Sequence, residues 1–359
     1  MNILTVIGNR PQFVKAAAVS RLLRARQSEF LVHTGQHYDD ELSRIFFEEL
    51  GVPAPDVRLG AGGGSNTEQT ARILGLLDKV VSDVAPDLVL VYGDTNSTLA
   101  GALAGAQAGV PVAHVEAGMR SFDRTMPEEL NRVLTDHASA LLLCSTETAL
   151  ANLEREAAAG QSHLVGDVMA DVSLAFRPIA DGRSTVLVEH GLHEGDYLVV
   201  TAHRAGNVDD PGRLERLVGL LEVLPLPTVL PLHPRTAARL EAAGLRDRLE
   251  AAPLLSLTAA LGYLDFLKLT MHARAVLTDS GGVQKEAYLL GVPCVTLRES
   301  TEWVETVEAG WNTLVGLDRD AALHALERPP PDHERPELYG GGRAAERVCA
   351  VLGAYTAPR

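Results

Sequence analysis

The chain has 359 residues, too many for one ordinary hydrophobic core and enough for two domains. Its 46% hydrophobic and 22% charged content is that of a water-soluble globular protein, and with only 4% aromatics the cores must be built from Leu, Val and Ala. The balance of 32 basic against 47 acidic residues, −15 overall, excludes general nucleic-acid binding, and anionic ligands are admitted only where local cations and helix N-termini outweigh that field.

Three scattered cysteines, Cys144, Cys294 and Cys349, fit reduced thiols and form no zinc pattern. The N-terminal "MNILTVIGNRP" has no cationic leader, and no apolar run reaches membrane-spanning length, so the expectation is a cytoplasmic protein without a membrane partner.

In chain order, the first half alternates strands ("ILTVIG", "FLVHTG", "DLVLVYGD", "VPVAHVEAG", "ALLLCS") with helices ("KAAAVSRLLRAR", "TEQTARILGLLDKVV", "NSTLAGALAGAQAG"). The second half repeats the scheme with "YLVVTAHR", "TVLPLHP", "LLSLTA", "RAVLTDSGG" and "PCVTLRES", separated by "GRLERLVGLLEVL" and "GYLDFLKLTMHA". Apolar strands divided by helices predict βαβ units and parallel sheets buried on both faces. The expectation is therefore an α/β protein of two Rossmann-like, doubly wound parallel-sheet domains, with a ligand in the interdomain cleft at strand C-terminal ends. The weakly periodic stretch near 168–190 marks the hinge. Residues 1–172 form the first domain and 173–342 the second, and a helix over about 343–359 follows a Gly-rich break.

Chemistry in such sheets collects just past the strands. After the first strand, Arg10 precedes Pro11, a helix opener, and Lys15 lies one turn in; both cations are surface bases or anion ligands. Asp94 either points at a ligand or caps the helix beginning near Thr95. Glu116 ends a strand where no cap or helix dipole needs it, and "TMPE", Thr125 to Glu128, reads as a capping box. Glu129 suits the positive end of that helix, and Arg120, Arg124 and Arg132 offset the clustered acids. Carboxylates held close push their pKa values apart, so one serves as acid while another serves as base.

His203 in "TAHRAGN" and His233 in "PLHPR" are each a structural or a titrating histidine. In "TDSGGVQKEA" a strand runs through Ser280, Gly281 and Gly282 into a helix, which reads as a phosphate cradle, and Glu286 suits ribose hydroxyls. Ser65 with Glu68 reads as a second capping box. The chain has no G-x-G-x-x-G after the first strand and no Walker loop.

Seven segments in this order, "GNRPQFVKAA", "HTGQHYD", "VYGDTNSTLAGALA", "HVEAGMRSFDRTMPEELNRVLTDHAS", "TAHRAGNVDDPGRL", "LTDSGGVQKEA" and "TEWVETVEAGWNTLVG", resemble the non-hydrolysing UDP-N-acetylglucosamine 2-epimerases over nearly the whole chain. The resemblance implies a GT-B fold, a C-terminal helix returning to the first domain, a homodimer and a UDP-sugar substrate, with neither cofactor nor metal. It also implies a reaction in which UDP is eliminated to a 2-acetamidoglucal and added back with inversion at C2. By the same resemblance Asp94, Glu116 and Glu128 are catalytic acids and His203 the histidine near the diphosphate. Arg10, Lys15, Phe266, Ser280, Gly281, Gly282 and Glu286 would bind substrate by that match, and His233, from its place after a strand, is a further substrate-binding candidate. Gln12, Lys285 and Trp303 stand where many bacterial members carry Glu, Glu and Arg, a version similar to a sister group acting on UDP-2,3-diacetamido-glucuronate. That sugar is the alternative substrate, and a GT-B glycosyltransferase is the alternative activity.

Overall fold

A computed structural model describes residues 1–36, 54–329 and 331–356. The His37–Tyr38–Asp39 part of the "HTGQHYD" segment and the last three residues of the expected C-terminal helix lie outside them. The chain divides into two compact units, Met1–Val172 with Glu337–Arg359, and Ser173–Pro336.

The first unit holds a seven-stranded, all-parallel sheet: β1 (Asn2–Ile7), β2 (Ser28–His33), β3 (Val57–Arg58), β4 (Leu88–Tyr92), β5 (Val112–Ala117), β6 (Leu141–Cys144) and β7 (Gln161–Leu164). Their order is β3-β2-β1-β4-β5-β6-β7, so the winding reverses between β1 and β4. The helices include α1 (Arg10–Leu23), α2 (Asn66–Val84), α3 (Asn96–Gln107), α4 (Pro127–Ala138), α5 (Glu147–Arg155) and α6 (Val168–Arg183). Asn9 caps α1, with Pro11 in its first turn as expected. The reciprocal Ser65–Glu68 box opens α2. Ile73, Leu77 and Val81, four residues apart, turn α2 onto Leu4, Val32, Val89 and Val91 of the sheet.

The stretch expected to be an irregular hinge is mostly helical: α6 spans it with Pro178 inside. The last helix, α11 (Ala344–Ala354), belongs to the first unit. Asp171 accepts the N–H groups of Ala344 and Ala345 at 2.9 and 2.7 Å, satisfying two donors at its start.

The second unit repeats the design with β8 (Leu198–Thr201), β9 (Thr228–Pro231), β10 (Leu255–Thr258), β11 (Ala275–Thr278), β12 (Cys294–Thr296) and β13 (Asn312–Leu314), ordered β10-β9-β8-β11-β12-β13. Among its helices are α7 (Pro211–Leu221), α8 (Pro234–Ala242), α9 (Tyr263–Met271) and α10 (Gly281–Leu290). Leu214, Leu217, Val218 and Leu221 of α7 join Leu198, Val200, Leu230 and Leu277 in its core. No described helix is long and apolar enough to cross a membrane.

His33, at the end of β2, is buried against the Phe13 ring at 4.9 Å, and neither ring nitrogen has a hydrogen bond among the described residues. Burial, and secondarily Arg58, lowers its pKa from 6.5 to about 4. The unfolded chain therefore binds a proton on His33 between those values while the native state does not. Stability should fall by roughly 3 kcal/mol as pH drops through that window. Urea midpoints against pH should show the slope, and His33→Phe should flatten it; an unchanged slope in the variant would refute this source.

Candidate active site

In the first unit the site residues gather at the C-terminal ends of three adjacent strands, β1, β4 and β5, around the reversal of strand order. Glu116 occupies an irregular position. The β5–β6 register shifts between Val115 and Ala117, so Glu116 is the extra residue of a bulge, and its φ is +74°. A non-glycine residue there is strained by about 1–3 kcal/mol, and bulges of this kind re-aim a side chain. The side chain is aimed at Lys15: the Nζ and Oε2 atoms are in direct contact, and both groups are largely buried. Gly93 makes room for the pair, since a Cβ there would lie 3.2 Å from the Lys15 ammonium and 3.3 Å from the Glu116 carboxylate.

Asp94 follows at once. The cap of α3 is Thr95, in a reciprocal box with Thr98, so Asp94 is free of that duty. Instead Arg132 of α4 holds it through Nη2 at 2.7 Å and Nε at 3.1 Å. The same guanidinium pairs with Glu129 at 2.7 Å. Glu128, at the second position of α4, is half-buried.

Two expectations here need correction. Thr125 does not cap α4: its N-cap is Met126, with no side-chain cap, and Thr125 donates to Asp123 at 2.6 Å. Pro127 holds the first helical position, which needs no N–H partner. Glu129 does more than meet a helix dipole: it accepts the backbone N–H groups of Ser121 and Phe122 at 2.9 and 3.0 Å and pins the loop after β5.

Gln12 is buried and fully engaged. Its amide donates to the Tyr92 carbonyl at 2.7 Å and to Thr98 at 2.8 Å, and its oxygen accepts from Gly8 at 2.7 Å. A carboxylate could not donate to that carbonyl, so the amide ties α1 to the β4 turn. Arg10 stands at the first position of α1, and its side chain lies outside the described atoms.

In the second unit the residues follow β8, β9 and β11, again adjacent strands. His203 and His233 stack at 5.0 Å. His233 caps α8, its Nδ1 accepting from Arg235 at 3.1 Å. Burial lowers the pKa of His203 against the pull of Asp279, with Arg204 and Arg235 adding to the depression. The ring is therefore biased toward its neutral form.

Ser280, Gly281 and Gly282 form the N-terminus of α10, where the N–H groups of Gly281, Gly282 and Val283 precede the first intrahelical bond, Gln284 to Ser280. A Cβ on Gly281 would come within 3.3 Å of Trp303 Nε1; on Gly282 it would meet nothing nearer than Ser280 Oγ at 3.9 Å. One glycine is packed from behind and the other leaves the backbone open. Phe266 on α9 and Glu286 on α10 are buried. Lys285 is also buried, its ammonium 4.2 Å from the Trp303 ring centroid, a cation–π pair that joins two of the three departures noted in the sequence.

Sequence reasoning overlooked Asp279. This fully buried carboxylate accepts from the backbone of His203 at 3.0 Å and Arg204 at 3.0 Å and from Asn207 at 3.1 Å. It ties the histidine loop to the glycine turn. Its position directly before Ser280 was the available signal, hidden by the stronger Gly-Gly motif.

The family model for UDP-N-acetylglucosamine 2-epimerase matches residues 21–353. A UDP-N-acetylglucosamine 2-epimerase homolog of Methanococcus maripaludis is 46% identical over 354 residues, covering 98% of this chain and 99% of that one. The UDP-2,3-diacetamido-2,3-dideoxy-D-glucuronate 2-epimerase of Pseudomonas aeruginosa is 45% identical over 362 residues, with 98% and 99% covered. The crystal structure of the Methanocaldococcus jannaschii UDP-GlcNAc 2-epimerase in complex with UDP-GlcNAc and UDP superposes with a TM-score of 0.93 at 40% identity, covering 99% of this chain and 100% of that one. Two parallel-sheet units and this likeness give the fold as GT-B. The chain belongs to the UDP-N-acetylglucosamine 2-epimerase family.

Proposed function

We propose that the protein is a non-hydrolysing UDP-sugar 2-epimerase, an isomerase that interconverts UDP-GlcNAc and UDP-ManNAc for surface-polysaccharide synthesis, as a cytoplasmic homodimer. The observation that carries the reading is near-full-length identity of 40–46% to chains named for 2-epimerase reactions. The site chemistry agrees with it. Inverting a carbon bearing an acetamido group requires removing a weakly acidic C–H proton and returning one to the opposite face, so acids and bases must flank C2. Asp94, Glu116 and Glu128 supply them, and Lys15 and Arg132 moderate their charge. The leaving UDP is stabilised by the open N–H groups of α10, with His203 beside the diphosphate. Elimination and re-addition leave the oxidation state unchanged, so the cycle needs no redox cofactor.

The sister substrate, UDP-2,3-diacetamido-glucuronate, is the second reading, favoured by the Pseudomonas relative and by the buried Lys285–Trp303 pair. Incubation of each nucleotide sugar in D2O decides between them. Deuterium at C2 of both epimers marks the true substrate. UDP release that depends on an acceptor, without C2 label, would instead indicate glycosyl transfer, and labelling of neither sugar would end the epimerase reading.

Gly282→Ala gives a second test with opposed signs. Alanine stabilises a helix by about 0.5–1 kcal/mol over glycine. The added methyl also stands on the face meant for the diphosphate. UDP affinity should fall about tenfold or more while the melting midpoint holds or rises; unchanged affinity by calorimetry would remove this turn from the UDP site.

A further inference from the structure

Asp94 follows β4, Glu116 ends β5 and Glu128 opens α4, so their mutual geometry depends on how three elements are locked together. One side chain is bonded to all three neighbourhoods. His114, in the middle of β5, is fully buried. Its Nε2 lies 2.7 Å from the carbonyl oxygen of Gly93, the residue before Asp94. Its Nδ1 lies 2.7 Å from Oδ1 of Asp136, two turns along α4 from Glu128. The other oxygen of Asp136 accepts the N–H of Gly118 at 3.0 Å, two residues past Glu116, and pairs with Arg120 at 2.7 Å.

Both partners of the ring only accept. A carbonyl oxygen has no proton to give, and burial works against the charge of Asp136, but the Arg120 guanidinium at 2.7 Å and the Gly118 N–H at 3.0 Å both serve its Oδ2 and hold it as a carboxylate independently of the ring. A neutral imidazole has one N–H and would set its remaining lone pair against an oxygen at 2.7 Å. We propose that His114 is held as a buried imidazolium, donating from both nitrogens, and that it acts as a positioning residue for the acids of the site.

The surrounding charges support this. Asp136 faces the ring from α4, and Arg120, from the loop after β5, pairs with Asp136 and, bidentate, with Glu156 at 2.7 and 2.8 Å. The thiol of Cys144 on β6 is pushed up to about 12, by burial first and Asp136 second, and adds no charge. Two cations and two anions then balance, whereas a neutral His114 would leave Arg120 as the one cation between the buried Asp136 and the half-exposed Glu156, which also has His137 at 3.7 Å. The consequence for the site runs through Gly93. Its carbonyl is fixed by His114, and its α-carbon faces the Lys15–Glu116 pair at close range. A shift of a few tenths of an ångström in that peptide would be transmitted to both Asp94 and Glu116, and misplacement on this scale is costly to proton transfer.

The protonation claim stands on hydrogen-bond geometry and the charges around the ring; its catalytic consequence rests on the assignment of the acids above. In 15N-histidine-labelled protein at neutral pH, His114 should give two downfield, exchange-protected N–H correlations, assigned by their loss in His114→Gln. An unprotonated ring nitrogen at this position would overturn the proposal. His114→Gln, whose amide reaches one partner but not both, should lower kcat for C2 exchange by 10- to 100-fold well below its melting midpoint, with KM and UDP affinity within twofold. Unchanged kcat in the folded variant would refute the positioning role; should the variant fail to fold, the wild-type resonances are assigned instead by their through-space contacts to neighbouring β5 and α4 protons and still decide the protonation. Asp94→Asn and Glu116→Gln variants that retained exchange would defeat the acid assignment while leaving the His114 resonances intact.

Discussion

Asp94→Asn and Glu116→Gln are each expected to lower deuterium incorporation at C2 by a factor of a thousand or more, with UDP binding changed less than twofold. Positioned acid–base groups contribute about 10²–10⁴ each. The two carboxylates occupy adjacent strand ends, and under the proposed mechanism each loss falls on the reacting carbon. The substitutions keep shape. Gln retains the bulged backbone at φ +74° and Asn retains the turn before Thr95, so misfolding is not the expected cause. Arg132 keeps Glu129 as a partner when Asp94 loses its charge. Lys15 loses its counterion when Glu116 becomes neutral, and that variant should also lose some stability. The glycine turn proposed to hold UDP lies in the other unit, so calorimetric titration with UDP serves as the control. Turnover within tenfold of wild type in either variant would remove that residue from the mechanism.

Asp279→Ala should be the most destabilising single change at the Ser280–Gly282 turn. It strands two half-buried backbone donors and removes one of the two acceptors of the buried Asn207 amide, which keeps the Leu297 carbonyl at 2.9 Å. An unsatisfied buried donor costs about 1–3 kcal/mol, so a total of roughly 3–5 kcal/mol is expected once partial relaxation is allowed. For a unit of this size that corresponds to a fall of about 10 °C in melting midpoint. UDP affinity should drop with it, because the His203 loop loses its anchor to the glycine turn. Asp279→Asn, which keeps one accepting oxygen, should cost less. A midpoint within about 2 °C of wild type for the alanine variant would show that the carboxylate does not hold the loop.

The elements readable from sequence were those with a strong local cause. Continuous apolar runs such as "LVLVY" and "LVVT" became central strands because a parallel sheet covered on both faces demands them. Reciprocal Ser65–Glu68 capping and Pro11 in the first turn of α1 are set within four residues. What went unread lay at the margins: β3 has two residues, β7 is the largely exposed "QSHL", and β13 is "NTL". These short strands lie at the sheet edges, carry little apolar pattern and exist because a neighbouring strand offers its backbone.

The candidate site divides along the same line. From the sequence alone came the order of the strands' trailing loops, the Gly-Gly turn at a helix start and the family, because each is written in consecutive residues. Whether Asp94 capped a helix or faced outward was open until the fold brought Arg132, 38 residues away, within 2.7 Å and let Thr95 take the cap. The roles of His114 and Asp279 were likewise invisible. Their partners, Gly93 and Asp136 for one and the His203–Asn207 loop for the other, come from other strands and helices. A hydrogen bond depends on distance in space, and local residue preferences carry no information about which remote segment a sheet will place alongside.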